Sequence, residues 1–204
     1  MADALPNTEA LTSASKIEIL DVKGAKVTFG SIFENKKTIF VFIIGYQKGH
    51  FFCGSCQGYV EQLATIPSSA LASANAQIVV VGCGEWQPIQ SYAETTKFTG
   101  QIYANPSRAL YHALGMNIEN FKLTPSGEER RSYVKGTFTA VIQSIKGALA
   151  RPSLIGKQGK ISQLGGEFIF GPGLVCTFAH RMQHTQDHVE VADLVKKAGV
   201  PASA

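Results

Sequence analysis

The sequence contains few cysteines, no long apolar run and no dense cluster of basic residues. Four cysteines in 204 residues are too few for a disulfide framework, so we expect a cytoplasmic protein. No apolar run approaches the roughly 18 residues that a membrane-spanning helix needs. The N-terminus, Met1 to Pro6, lacks the basic and apolar regions of a secretory signal peptide. These absences argue against secretion and against a membrane partner.

The charged residues are sparse and mixed in sign. The formal net charge of +4 is spread thinly, and its densest points are the pairs Arg130-Arg131 and Lys196-Lys197. Nucleic-acid binding needs a basic patch, so we expect no nucleic-acid partner. A hydrophobic fraction of 45% over 204 residues predicts one globular domain with a substantial core.

The most informative motif is Cys53-Gly54-Ser55-Cys56, which follows the apolar run Thr38–Ile44 and precedes a predicted helix at Gln57–Leu63. A strand that delivers a CxxC motif to the start of a helix is typical of a thioredoxin-type redox centre. The amides and the dipole at a helix N-terminus stabilise a thiolate, the form that attacks disulfides and peroxides. We therefore predict that Cys53 is the catalytic nucleophile and Cys56 the resolving thiol.

Two other interpretations of the CxxC motif stay open. The motif could be half of a zinc site, although the sequence has no second CxxC or Cys/His pair at metal spacing. It could also be a pair of inert core thiols. The nearby His50 either pairs with Cys53 as imidazolium and thiolate, which would lower the pKa of the thiol, or is an ordinary loop histidine.

The other two cysteines carry weaker signals. Cys83 follows a predicted buried strand and is interpreted as a small apolar filler, and Cys176 alternates with its neighbours in a strand and is interpreted as structural. Gly82-Cys83-Gly84 lacks the third glycine of a dinucleotide fingerprint. We therefore predict no cofactor.

Three histidines and one tryptophan complete the set of candidates. His180, His184 and His188 recur every four residues, but His180 directly follows a strand, so a shared helical face is not expected and we predict no metal site. Trp86 follows a predicted parallel strand at its carboxyl end, the edge where ligands bind in open α/β sheets. It either lines a substrate groove or packs there.

Predicted strands and helices alternate along the chain. The strands are Ile17–Val22, Lys26–Phe29, Ile39–Ile44, Ile78–Val81, Gln101–Ala104, Phe168–Phe170 and Leu174–Phe178. The helices are Gln57–Ile66, Pro88–Phe98, Ser107–Leu114 and Val189–Ala198. Alternation of this kind implies right-handed crossovers and a parallel core. We predict an α/β, thioredoxin-like fold with a central mixed sheet flanked by helices and an N-terminal β-hairpin.

The predicted domain covers residues 16–201. Residues 1–15 are rich in Ala, Ser and Thr and are predicted to form a disordered tail. Residues 117–163 do not fit the minimal plan and are interpreted as an insertion before the C-terminal hairpin, with one predicted helix at Thr139–Ala150. Such an insertion either covers the redox centre or is a mobile loop.

Several short motifs together resemble a known family. They are His50–Cys56, Val81–Gly84, Tyr103–Pro106, Leu114–Met116, Gly165–Gly173 and Asp187-His188. In order and spacing they resemble the peroxiredoxin-like branch of the AhpC/TSA antioxidant family. The resemblance implies a thioredoxin fold, thiol peroxidase or thiol–disulfide chemistry, and a thiol reductant such as glutathione or a thioredoxin.

The sequence departs from that family at the residues that handle peroxide. Peroxidatic sites of the family carry P-x-x-x-T-x-x-C, and here Tyr46 stands at the Pro position and His50 at the Thr position. Gly165-Gly166 stands where such enzymes carry an arginine, and the cis-proline of thioredoxins is absent from that region. Tyr46, Gly166 and Trp86 are the predicted substrate-binding residues.

The resulting prediction is a thiol-dependent oxidoreductase that uses its CxxC centre to reduce peroxides or disulfides, with a homodimer as one assembly open to it. Dithiol chemistry fits better than fast peroxide reduction, because it needs only an activated thiol and a resolving partner. Two alternatives remain. One is a redox-inactive thioredoxin-fold protein with a binding or regulatory role, and the other is a tailoring enzyme that acts on a small metabolite.

Overall fold

The computed structural model describes residues 2–43, 54–134, 157 and 159–201. The strands are β1 (Glu18–Leu20), β2 (Lys26–Thr28), β3 (Lys37–Ile43), β4 (Ala76–Gly82), β5 (Gln101–Ala104), β6 (Gly166–Gly171) and β7 (Val175–Arg181). The helices are α1 (Thr8–Ser15), α2 (Phe29–Phe33), α3 (Gly54–Leu63), α4 (Ser68–Ser73), α5 (Ile89–Thr96), α6 (Ala109–Ala113) and α7 (Val191–Lys197).

The strands form one mixed sheet in the order β2-β1-β5-β4-β3-β6-β7. Strands β3, β4 and β5 are parallel, whereas β6 pairs antiparallel with β3, and β7 antiparallel with β6. Strand β3 is buried at every position after Lys37, because a parallel core strand is covered on both faces. The prediction of a thioredoxin-like α/β fold with a central mixed sheet is confirmed, including the N-terminal β1–β2 hairpin.

Two apolar cores cover the two faces of the sheet. One contains an aromatic cluster, formed by Phe29, Phe33, Phe40, Phe42, Phe168 and Phe170. Within it, the Phe29 and Phe40 ring centroids lie 4.6 Å apart. The other core contains α3, α5 and α7, with Cys56 among its fully buried side chains. This second face carries the candidate site.

The N-terminal segment differs from the predicted disordered tail of residues 1–15. Helix α1 forms here because the Asn7 side chain caps it, accepting a 2.8 Å hydrogen bond from the Ala10 amide. Leu11 and Ala14 are buried on the side of the helix that packs against α2 and α6. Composition suggested disorder, but two apolar contacts and one cap suffice to order the segment.

The predicted insertion is described only in part, and its predicted helix at Thr139–Ala150 lies outside the described residues. An antiparallel bridge between Glu119 and Gln163 joins the two ends of the insertion to each other, and Arg108 ties both ends to the domain. Arg108 forms an ion pair with Glu119 and a 3.1 Å hydrogen bond to the Gln163 side chain. Across the described ranges, no helix has both the length and the apolarity to cross a membrane.

Candidate functional site

The described half of the CxxC motif, Cys56, lies in the first turn of α3. It is the third residue of that helix, which follows β3 in the chain at the end where the parallel strands finish. Its side chain is 0% exposed. The Sγ atom lies 3.7 Å from Nε2 of His188, across 132 positions of sequence. A thiol and an imidazole are therefore in hydrogen-bonding contact inside the protein.

A carboxylate holds the imidazole from the other side. His188 Nδ1 forms a short hydrogen bond with Oε1 of Glu167, and both side chains are fully buried. The second Glu167 oxygen accepts a 3.4 Å hydrogen bond from the Val189 amide. A carboxylate only accepts hydrogen bonds, so we infer that Nδ1 carries the proton and that a neutral ring presents the lone pair of Nε2 to the sulfur. Cys56, His188 and Glu167 thus form a buried thiol–imidazole–carboxylate line, which we call the Cys56 triad.

Two tyrosines fix the plane and position of the imidazole. The Tyr59 ring stacks on His188 with a centroid distance of 4.4 Å and an interplanar angle of 11°. The Tyr133 ring meets His188 edge-on at 5.9 Å. The Tyr133 hydroxyl donates a 2.7 Å hydrogen bond to the Gln186 carbonyl and accepts one of 2.8 Å from the His188 amide. Since Tyr133 belongs to the predicted insertion, the described part of that insertion covers the triad.

The phenols beside the triad are neutral at physiological pH. Burial raises the pKa of Tyr59 well above its usual value, and the negative charge of Glu167 raises it further. Burial also raises the pKa of Tyr133, against a smaller opposing effect of its hydrogen bond with the His188 backbone. Neither tyrosine can therefore act as a base near neutral pH.

The other described cysteines have environments that fit structural roles. The Cys83 side chain is fully buried, with Sγ 3.7 Å from the Lys160 carbonyl. Burial raises the pKa of the Cys176 thiol to about 11, against a smaller opposing effect of the Phe178 backbone. A thiol of that kind is protonated at neutral pH and is a poor nucleophile. Cys176 is a free thiol.

The sequence-predicted residues fall into two groups. Tyr46, His50 and Cys53 lie outside the described residues. Trp86 is half-buried and packs against the turn of the first hairpin, where a Cβ on Gly24 would lie 2.8 Å from its ring. This contact accounts for its packing, and a role in substrate binding stays a prediction.

Gly166 is paired in the sheet between Phe42 of β3 and Arg181 of β7. A Cβ there would lie 2.2 Å from the His180 carbonyl oxygen, so close strand packing requires glycine at this position. Its predicted role in substrate binding is untested.

His180, His184 and His188 do not share a helical face, since the first lies in β7 and the last precedes α7. His180 instead forms a 2.8 Å hydrogen bond with the side chain of Asp3. In the part of the chain that the structure covers, no three His, Cys, Asp or Glu side chains are grouped to hold a metal ion.

Sequence reasoning did not assign roles to His188 and Glu167, although both stand in the motifs that carried the family resemblance. Glu167 precedes the apolar run Phe168-Ile169-Phe170 in a strand that is almost wholly buried. A carboxylate that enters a buried strand is an available signal, because charged groups are rarely buried without a partner. The identity of that partner could not be deduced from the sequence.

Comparison with known proteins gives consistent matches. The family model described as "AhpC/TSA antioxidant enzyme" matches residues 62–184, which is more than half of the chain but does not include the CxxC motif. The mouse (Mus musculus) protein named "Peroxiredoxin-like 2C" is 32% identical over 189 residues, covering 92% of this chain and 80% of the relative.

Two solved structures share the fold. Peroxiredoxin 6 of Arenicola marina, in a mutant form, aligns with a TM-score of 0.59 at 14% identity, covering 96% of this chain and 72% of that one. A mutant of PrxQ from Xylella fastidiosa aligns with a TM-score of 0.54 at 14% identity, covering 98% of this chain and 93% of that one. At this level of identity the two structures establish the architecture alone.

Proposed function

The chain belongs to the AhpC/TSA antioxidant enzyme family, and from that premise we propose that it is a thiol-dependent oxidoreductase whose reacting pair is Cys53 and Cys56. Family membership supports thiol-dependent redox chemistry in general. The observation that carries the specific proposal is the position of Cys56, in the first turn of α3 with an imidazole 3.7 Å from its sulfur. A resolving thiol needs both a fixed place beside its partner and a route for its proton.

The proposed cycle has two reductive steps. The Cys53 thiolate attacks a disulfide R–S–S–R, forming a mixed disulfide and releasing one thiolate. Cys56 then attacks the Cys53 sulfur, closing the Cys53–Cys56 disulfide and releasing the second thiolate. With a peroxide, Cys53 becomes a sulfenic acid as an alcohol or water departs, and Cys56 condenses with it as water leaves. Two electrons from a thiol reductant, such as glutathione or a thioredoxin, restore the dithiol.

The glycine pair at the start of β6 favours disulfides over peroxides as substrates. A Cβ on Gly165 would lie 1.8 Å from the Phe42 carbonyl oxygen, so a peroxide-orienting arginine has no room at that position. Arg181 is already engaged, since its guanidinium donates hydrogen bonds to the carbonyls of Leu114, Ala2 and Ala4. We infer that kcat/KM is higher for small disulfides than for hydrogen peroxide.

Substitution of each cysteine tests the proposal. We expect Cys53→Ser to abolish turnover of hydroxyethyl disulfide and of hydrogen peroxide, measured by coupled NADPH oxidation with glutathione or with thioredoxin. Cys56→Ser should accumulate a mixed disulfide at Cys53 that intact-mass spectrometry detects. Cys176→Ser is the matched control and should keep wild-type turnover. Full activity of Cys53→Ser would overturn the proposal, and a wild type without any turnover would favour a binding or tailoring role for the fold.

The cytosolic compartment and the homodimer stay predictions.

A further inference from the structure

The Cys56 triad places three polar groups where water does not reach. Cys56 comes from α3, His188 from the segment before α7, and Glu167 from β6, and each is 0% exposed. Burying an imidazole and a carboxylate costs free energy unless they are paired and hydrogen-bonded. Here Glu167 and His188 are hydrogen-bonded to each other, and Nε2 of His188 faces the Cys56 sulfur. A purely apolar contact with the thiol would have needed neither group.

We propose that His188 is the catalytic acid–base group of Cys56 and that Glu167 is its positioning residue. This inference rests on the proposed function for the role of Cys56 as the resolving thiol. A buried thiol has no solvent base within reach, and burial by itself disfavours the thiolate. Nε2 of His188, at 3.7 Å, is in a position to take the proton.

His188 exchanges a proton with Cys56 as the mixed disulfide is resolved. As Cys56 attacks the Cys53 sulfur of the mixed disulfide, its S–H proton passes to Nε2 of His188, the new S–S bond forms and the substrate thiolate leaves. Glu167 stabilises the resulting imidazolium through its hydrogen bond with Nδ1. In the reverse direction, when a reductant thiolate attacks Cys53, Cys56 leaves with the bonding electron pair and receives the proton from the imidazolium.

Among the described residues, His188 is the one with a ring nitrogen in contact with the Cys56 sulfur. Within the described ranges, the other titratable or charged residues that interact with the triad or with the tyrosines around it are Tyr59 on α3, Cys83 after β4, Tyr92 on α5, Tyr111 on α6, His180 on β7, and Arg131, Tyr133 and Glu190 beside α7. Burial raises the pKa of Tyr59, Tyr111 and Tyr133. The Tyr92 hydroxyl donates a 3.4 Å hydrogen bond to the Cys56 carbonyl.

Single-turnover kinetics with Ellman's reagent test the assignment. The reagent forms a mixed disulfide at Cys53, and attack by Cys56 then releases a second thionitrobenzoate that absorbs at visible wavelengths. In the wild type we expect the pH profile of this release to have a plateau on its alkaline side, the form that a general base gives. His188→Asn should slow release by about 10²–10⁴-fold, the usual contribution of a general base, and should remove the plateau. His112→Asn, on the exposed side of α6, is the control and should behave as wild type.

Glu167→Gln separates positioning from catalysis. Gln keeps an oxygen that can accept the Nδ1 hydrogen bond but removes the negative charge, so the imidazolium is less favoured. We expect release of thionitrobenzoate to reach its plateau at lower pH and to slow by about an order of magnitude, within the range of general acid–base effects. A merely structural role for Glu167 would change the midpoint of urea unfolding without moving the pH profile.

A measurement on the unsubstituted triad guards against misfolding of these variants. In Cys53→Ser protein, ¹⁵N NMR of the His188 ring should show a proton on Nδ1 and a bare Nε2 in the neutral form. A neutral ring protonated at Nε2 would overturn the inference, as would equally fast release in His188→Asn. If Ellman's reagent forms no adduct at Cys53, the proposed function fails, and the inference fails with it. If the adduct forms and His188→Asn releases the second thionitrobenzoate at the wild-type rate, the role of His188 is contradicted while the proposed function stands.

Discussion

Two tyrosines contact the same imidazole, but they do so with different groups. Tyr59 contributes its ring face, and its buried hydroxyl has no hydrogen-bond partner among the described residues. Tyr133 contributes a ring edge and a hydroxyl with two short hydrogen bonds, to the Gln186 carbonyl and from the His188 amide. Only the second hydroxyl therefore anchors the segment that carries His188.

Removing the Tyr133 hydroxyl should lower the free energy of unfolding, whereas removing the Tyr59 hydroxyl should not. Tyr133→Phe leaves the buried His188 amide without its acceptor, which typically costs about 1–3 kcal/mol. Tyr59→Phe removes a hydroxyl that forms no bond with the described residues, so its free energy of unfolding should be equal to or above that of the wild type. Urea denaturation followed by far-ultraviolet circular dichroism measures both. Equal destabilisation by the two substitutions would contradict the assigned contacts.

At this scale, the sequence indicated Cys56 but not its partner. A CxxC motif after an apolar run is a local pattern, and local patterns can be recognised without a fold. The contact between Cys56 and His188 joins residues 132 positions apart, and it depends on how β6 and α7 come to lie beside α3. No spacing rule in the sequence carries that information.

Strand β6 is the element that connects the fold to the site. It lies between β3 and β7, presents Glu167 to His188, and begins directly after Gly165. Glycine at residue 165 lets the backbone approach Phe42 more closely than any Cβ would permit, since that atom would lie 1.8 Å from the Phe42 carbonyl oxygen. The register between β6 and β3, which directs Glu167 toward His188, therefore depends on the absence of a Cβ atom at residue 165.

A pair of glycine substitutions in this strand tests that dependence. Gly165→Ala should lower the free energy of unfolding by about 1–3 kcal/mol, the usual range for overpacking, because the β3 backbone at Phe42 would have to move. Gly171→Ala is the matched control, since a Cβ at the other end of β6 would meet nothing within 4 Å. Its effect should stay within about 0.5 kcal/mol. Identical urea midpoints for the two variants would show that the close approach is not needed.

Elements were predicted well where packing and periodicity agree. The parallel strands are short apolar runs with turn residues at their ends, and the structure places β5 at Gln101–Ala104, the range that was predicted. Helix α1 was missed because its Ala, Ser and Thr residues carry no strong pattern. Its order comes from the burial of Leu11 and Ala14, which only the assembled domain provides.

At the scale of the whole molecule, the N-terminal segment is held to β7 and to the segment before α7. The His180 ring contacts the Asp3 side chain at 2.8 Å and the Asp187 carbonyl at 2.7 Å. Burial lowers the pKa of His180, but the charge of Glu167, the hydrogen bonds with Asp3 and Asp187, and the charge of Asp187 together outweigh it. The net pKa is raised. The charged form of His180 is therefore favoured by folding.

This shift makes part of the stability depend on pH. Because the pKa of His180 is higher in the folded state, its contribution is fully present below the unfolded value of about 6.5. The contribution is lost as the pH rises through the folded value. We expect the difference in unfolding free energy between wild type and His180→Gln to be largest near pH 5 and to shrink by pH 9. Asp3→Asn should reduce the same difference, and a gap that widens with pH would have the wrong sign.

The proposed chemistry depends on one bond, the disulfide between Cys53 and Cys56. The most direct measurement oxidises native protein with one equivalent of diamide, blocks the remaining thiols with iodoacetamide after unfolding, and maps the peptides by mass spectrometry. We expect Cys53 and Cys56 to be linked to each other, while Cys83 and Cys176 are recovered as alkylated thiols. A linkage that involves Cys83 or Cys176, or recovery of all four cysteines as alkylated thiols, would contradict the claim.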